Sequence, residues 1–173
     1  NVNVLQFGIN PLIHNPVGTR SENSKLYKDE VLFAGSWLTK YPVRMSETKK
    51  LFDAILREKA PFTVIDRNLH LGNPRYQFPS KYLSKMAPPV AHDDLMNLHK
   101  LIRWSINMNS VKYSETMFAN RVYELQAFGN IVLSNYNTGI NNMFPNVRMV
   151  HSDDDFRVIY NTKEKDLLEL QAK

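Results

Sequence analysis

Short apolar runs alternate with amphipathic stretches along this chain, and that alternation restricts the fold more than any other feature. Apolar segments at residues 30–36, 62–66, 104–109, 131–134 and 147–150 read as strands. Between them, residues 47–59 form an amphipathic stretch with Ser46 as its cap. A second helix starts at His92-Asp93-Asp94, with Leu95, Leu98, Leu101 and Ile102 at helical spacing. Residues 116–128 read as a third helix closed by Gly129, and Thr138-Gly139 leads a short fourth one. The charged segment 153–173 is helical with a break near Asn161-Thr162, while the Pro, Gly and Asn of residues 71–79 mark a long loop. Strands separated by helices in this way are the signature of crossover units in a parallel sheet. The expected fold is therefore α/β, a Rossmann-like, doubly wound parallel sheet.

The expected organisation is a lead-in over residues 1–29, one Rossmann-like domain over 30–161 and a C-terminal helix over 162–173. Asn10-Pro11, Asn15-Pro16 and the polar stretch Gly18 to Ser24 are turn chemistry, so no core starts there. A chain of 173 residues that is 43% hydrophobic suffices for one core. No stretch has the roughly 18–20 apolar residues of a membrane span, and the start, Asn1-Val2-Asn3-Val4, has neither a signal-peptide pattern nor an initiator Met. It reads as a piece of a longer protein or as a trimmed one, with a cytoplasmic setting expected and membrane contact not evident.

The absence of cysteine excludes disulfides, thiolate nucleophiles and cysteine-ligated zinc. A net charge of +5 suits an anionic partner, a nucleotide phosphate, nucleic acid or an anionic membrane face. Nucleic acid is disfavoured because the Lys and Arg residues are scattered rather than striped among aromatics. The histidines His14, His70, His92, His99 and His151 are dispersed, with His92 at a helix start and His99 a half-buried helix residue, so no metal site is expected. Asp153-Asp154-Asp155 read as dipole-complementing residues opening a helix.

In doubly wound sheets ligands bind outside the carboxyl ends of the strands, which directs attention to the loops after Phe33, Ile65, Met108 and Leu133. The loop 109–116 feeds a helix start and combines Ser and Thr hydroxyls with Lys112, a suitable phosphate cradle or an ordinary capped loop. Within the following helix Arg121 and Glu124 share a face, either as a surface ion pair or as part of a site.

The run Phe118-Ala119-Asn120-Arg121-Val122-Tyr123-Glu124-Leu125-Gln126-Ala127-Phe128-Gly129-Asn130-Ile131-Val132-Leu133-Ser134-Asn135-Tyr136, preceded by Asn107-Met108-Asn109-Ser110-Val111-Lys112, resembles the C-terminal half of the CgeB-like (spore-maturation) GT-B glycosyltransferases. The resemblance takes in Phe33-Ala34-Gly35-Ser36-Trp37, Tyr41-Pro42-Val43-Arg44 and Phe78-Pro79-Ser80-Lys81-Tyr82, and covers most of residues 30–160. It implies the donor-binding half of a two-domain enzyme, with the acceptor domain lying elsewhere in the protein. It also implies a nucleoside-diphosphate sugar as substrate, UDP-linked in the first instance, and no cofactor. On the same basis Glu124 would bind the ribose hydroxyls, and Thr116, Met117 and Phe118 would present backbone amides to the diphosphate. Lys112 or Arg44 would neutralise its charge beside Arg121, Gly35 and Ser36 would admit backbone close to the phosphates, and Pro89 and Val90 would flank the base. Many retaining members carry two glutamates separated by seven residues. Here Thr116, beside Glu115, occupies the first of those positions. A sugar-nucleotide epimerase on the same scaffold and a non-catalytic nucleotide- or partner-binding module are the alternative functions.

Overall fold

The computed structural model describes residues 8–17 and 27–172, so the reading of the first four residues and of the polar stretch 18–24 lies outside it. The strands are β1 (Val31–Ala34), β2 (Phe62–Ile65), β3 (Met86–Ala87), β4 (Trp104–Asn107), β5 (Ile131–Ser134) and β6 (Arg148–Met149). The helices are α1 (Pro42–Arg57), α2 (His92–Leu101), α3 (Arg121–Ala127), α4 (Thr138–Met143), α5 (Asp153–Tyr160) and α6 (Glu164–Ala172). Every strand pairing is parallel and the order is β3-β2-β1-β4-β5-β6, the doubly wound arrangement read from the sequence. After β3 the chain returns across the sheet to β4 beside β1, which creates a topological switch point between β1 and β4.

Both faces of the sheet are covered, which explains the unbroken apolar character of its central strands. Val31 and Phe33 face one core with Phe52 and Ile55 of α1 and Phe156 of α5. Leu32 and Ala34 point the other way onto Leu95, Leu98 and Ile102 at α2. Farther along that sheet, Val132 of β5 packs with Val122 and Leu125 of α3 and Ile140 of α4. Helix α6 belongs to the same unit, since Leu167 joins the first core, Gln171 Nε2 donates to Gly129 O at 2.9 Å and Arg103 makes a forked pair with Glu164. Gly129, at φ 79°, makes the left-handed turn that ends α3, as its position predicts.

Two helix starts differ from the sequence reading for identifiable reasons. Helix α1 starts at Pro42 rather than after Ser46, because proline in the first turn loses no hydrogen bond and brings its φ already set. Helix α3 starts at Arg121 rather than Thr116. Ser114 Oγ accepts the backbone N–H groups of Thr116 (3.3 Å) and Met117 (2.9 Å), and Asn109 Oδ1 accepts that of Ala119 at 3.1 Å. Those amides are satisfied outside a helix, which removes the incentive to continue it. The long loop before β3 contains short 3-10 turns at Leu69–Leu71, Pro74–Tyr76 and Ser80–Lys85. The strand β3, two residues long, gave no sequence signal. At the C-terminal side the expected break does occur, at residues 161–163, and Ser152 and Asp155 form a reciprocal capping box that opens α5.

Buried asparagines tie the carboxyl ends of β4 and β5 together. Asn109 N donates to Asn135 Oδ1 at 2.8 Å and Asn135 Nδ2 returns a bond to Asn109 O at 3.0 Å. The same Nδ2 reaches Glu47 Oε2 on α1 at 2.7 Å. Asn137 caps α4 through Ile140 N (2.9 Å) while its Nδ2 donates to Val111 O (2.8 Å) and Met117 O (3.1 Å). Asn109, Asn135 and Asn137 are all buried. Asn135→Ala leaves the buried N–H and C=O of Asn109 without partners, and is expected to cost roughly 2–4 kcal/mol in a urea unfolding curve. Asn161→Ala, on the exposed surface, should stay within about 0.5 kcal/mol of the parent.

His99 is fully buried rather than half-buried. Its Nδ1 lies 3.0 Å from Ser105 Oγ, and its ring stacks on Phe128 with centroids 6.3 Å apart. Burial, with a smaller contribution from Arg121, lowers its pKa from 6.5 to about 3. The unfolded chain therefore takes up this proton first as the pH falls. The stability that neutral His99 secures is complete above pH 6.5 and is lost progressively toward pH 3. Unfolding midpoints measured from pH 6.5 down to about 4.5, above most carboxylate titrations, should decline in the parent and flatten in His99→Leu. An identical slope in both proteins would assign the titration to another group.

Candidate functional site

A cleft opens at the switch point, outside the carboxyl ends of β1, β2 and β4, and has a volume of about 440 Å³. Each side is supplied by a different chain segment. Ala34, Gly35 and Ser36 leave β1, Ile65 and Arg67 close β2, and Met108 follows β4. Pro89, Val90 and Leu95 come from the approach to α2 and its first turns, Arg44 from α1, and Ala119, Asn120, Arg121 and Glu124 from α3 and its entry. Gly35 keeps this floor tight, since a Cβ there would sit 2.7 Å from the Phe33 ring.

Three guanidinium groups and one carboxylate line the cleft, which leaves it with a net charge of +2. Arg121 donates to Ala34 O at the end of β1, and Arg44 Nη1 donates to Ser36 O at 3.1 Å. Neutral carbonyls hold these two side chains in place without cancelling their charge. Burial lowers the pKa of each. For Arg121, Glu124 opposes and Arg67 adds to that shift, and for Arg44 the neighbouring Arg121 adds to it. Both remain cationic, because arginine does not lose its proton in proteins. Arg67 is exposed and makes no side-chain hydrogen bond among the described residues. Guanidiniums clustered closely enough to depress one another leave the cleft electropositive, an environment suited to an anion.

Glu124 is not the partner in a surface ion pair with Arg121. Its Oε1 accepts from Asn120 Nδ2 at 3.2 Å while Arg121 turns to the sheet, so the carboxylate faces the cleft with acceptor capacity to spare. The structure thus brings together Gly35, Ser36, Arg44, Pro89, Val90, Arg121 and Glu124 of the residues singled out by sequence.

Lys112, Thr116, Met117 and Phe118 lie elsewhere. Lys112 is ion-paired with Glu47, a contact that raises its pKa, and is absent from the cleft wall. Thr116, Met117 and Phe118 line a neighbouring open hollow of about 460 Å³, and Ser114 Oγ already takes the amides of the first two. In the loop 109–116 anticipated as a phosphate cradle, and just beyond it, the amides of Thr116 and Met117 are therefore already taken within the chain. Sequence reasoning missed Arg67, Asn120 and Leu95. Arg67 follows Ile65 by two residues, in a loop the strand-end rule had marked, and Asn120 is adjacent to Arg121.

Among the described residues no group of three His, Asp or Glu side chains is placed to hold a metal ion, and no helix is long and apolar enough to cross a membrane.

No protein-family model matches the sequence, and no curated protein matches it. Among solved structures, the chain is similar to the Candida albicans trehalose-6-phosphate phosphatase N-terminal domain, with a TM-score of 0.57 and 11% identity. The match covers 95% of this chain and 43% of that one, so this chain spans less than half of its length. At that identity the likeness establishes a shared α/β, Rossmann-like fold and nothing about chemistry.

Proposed function

We propose that this chain is the nucleotide-sugar-binding domain of a glycosyltransferase, of the GT-B type that its sequence resembles. The observation that carries the reading is the convergence of Arg44, Arg67 and Arg121 with Glu124 in one cleft at the switch point of a doubly wound sheet. A nucleoside diphosphate offers matching chemistry, a doubly charged diphosphate beside a vicinal diol. In this reading the guanidiniums hold the diphosphate, and Glu124 accepts hydrogen bonds from the two ribose hydroxyls. Pro89, Val90 and Leu95 supply an apolar wall for the base. When the bond between the anomeric carbon and the phosphate oxygen breaks, negative charge accumulates on the departing diphosphate. Cations already fixed in place stabilise that charge with little reorganisation. The acceptor and any general base that activates it would come from another domain of the same protein. A cytoplasmic setting accompanies this reading and accords with the lack of cysteine.

Titration calorimetry with uridine, guanosine, cytidine and thymidine diphosphates tests the proposal. At least one should bind, and Arg67→Met should weaken it by about 10- to 100-fold, the usual value of a hydrogen bond to a charged group, while affecting the free nucleoside much less. Lys112→Met should leave the affinity unchanged. Glu124→Gln should weaken the ribonucleotide by a similar factor and the 2′-deoxyribonucleotide far less, since the latter already lacks one of the two bonds. Failure of all four diphosphates to bind at millimolar concentration would overturn the assignment.

A further inference from the structure

The hollow beside the cleft has a different chemical character. The two share a wall formed by Met108 and Ala119, so a group attached to an anion among the arginines passes over that wall into the hollow. Its volume, about 460 Å³, lies in the range of small-molecule sites. None of its lining residues is charged. Lys112 is paired with Glu47, and the same Glu47 accepts a hydrogen bond from Asn135, so neither of these charges is free to serve a ligand. Asn109 is the one amide in the wall, and it is committed. Its Nδ2 donates toward Ser134 Oγ at 3.2 Å and its Oδ1 accepts from Ala119 N. What remains for a ligand is the hydroxyls of Tyr41, Ser110 and Thr116 set among the apolar side chains of Met108, Val111, Met117 and Phe118.

We propose that this hollow receives the glycosyl group of the donor and selects an uncharged sugar bearing an apolar substituent, such as the methyl of an N-acetyl or 6-deoxy sugar, against a uronic acid. The proposal rests on the donor-domain reading of the adjoining cleft. Hydroxyl groups suit the ring hydroxyls of any hexose, so they recognise a sugar without distinguishing among sugars. The apolar side chains reward a methyl group that leaves water. A carboxylate in the same place would lose hydration and find no cation in the wall to replace it.

Calorimetry on the chain with UDP, UDP-glucose, UDP-N-acetylglucosamine and UDP-glucuronate, and with GDP, GDP-mannose and GDP-fucose, separates the possibilities. In the series whose diphosphate binds, the N-acetyl or 6-deoxy conjugate should bind about fourfold or more tightly than the plain hexose, the value of one buried methyl group. In the uridine series the glucuronate should bind about tenfold or more weakly than the glucose conjugate. Val111→Asp, at a side chain that borders the hollow and not the cleft, should remove the preference for the methyl-bearing sugar while UDP or GDP affinity stays at the parental value. Equal affinity for all sugars of a series in the parent, glucuronate included where uridine is the base, overturns the proposal and leaves the donor reading standing. Parental sugar discrimination in a folded Val111→Asp does the same. If only the cytidine or thymidine diphosphate binds, the same comparison is made between its plain-hexose and 6-deoxyhexose conjugates, and if none of the four diphosphates binds, the donor reading fails and this proposal falls with it.

Discussion

The reciprocal bonds between Asn109 and Asn135 govern the functional end of this molecule. They join the carboxyl ends of two neighbouring parallel strands, where the sheet ladder has stopped and backbone groups would otherwise need water or ligand as partners. Because both asparagines are buried, their bonds form in surroundings where an unmet partner is costly, and one arrangement is favoured over its competitors. From that point the constraint spreads. Asn109 also holds Ala119, Asn135 holds Glu47 of α1, and Asn137 holds Val111 and Met117. The entire passage from β4 to α3 is suspended from three asparagines, and that passage is the wall shared by the arginine cleft and the uncharged hollow.

Suspension of this loop explains why α3 is short and why its first residue matters. With the amides of residues 116, 117 and 119 accepted by side chains, the helix begins at Arg121. Arg121 sits in the first turn and reaches back to the β1 carbonyl at Ala34, across the switch point. Arg44 does the same from the first turn of α1 toward Ser36. Two like charges are thus held near each other by neutral backbone oxygens. Their mutual repulsion is tolerated by the fold, and an anion between them would relieve it, which is how binding energy can be stored in a preorganised site.

Polar commitments divide the two neighbouring spaces. On one side of Met108 and Ala119 the arginines keep their charge because their hydrogen bonds go to carbonyls. On the other side Lys112 and Glu47 consume each other's charge, and the remaining wall is hydroxyl and hydrocarbon. A ligand with an anionic part joined to a neutral part matches this sequence of environments from one end to the other.

By itself the sequence determined the layered parallel sheet. Apolar runs such as Val31-Leu32-Phe33-Ala34 and Ile131-Val132-Leu133 can be accommodated only where both faces are covered, and the intervening helical periodicities supply the cover. It also located the strand ends where a ligand would bind and, through Arg44, Arg121, Glu124, Gly35, Pro89 and Val90, much of the cleft. It could not reveal which polar residues were already spent. Lys112 looks like a phosphate ligand until Glu47, 65 positions earlier in the chain, is found beside it, and Thr116 and Met117 look like helix amides until Ser114 is seen to accept them. The burial of Asn109, Asn135 and Asn137 has no signal in a linear scan, since asparagine is common in exposed turns and its burial here depends on strands brought together from distant segments. Periodicity is a local property and survives reading along the chain. The partner of a buried charge or amide is a long-range property, and only the assembled sheet decides it.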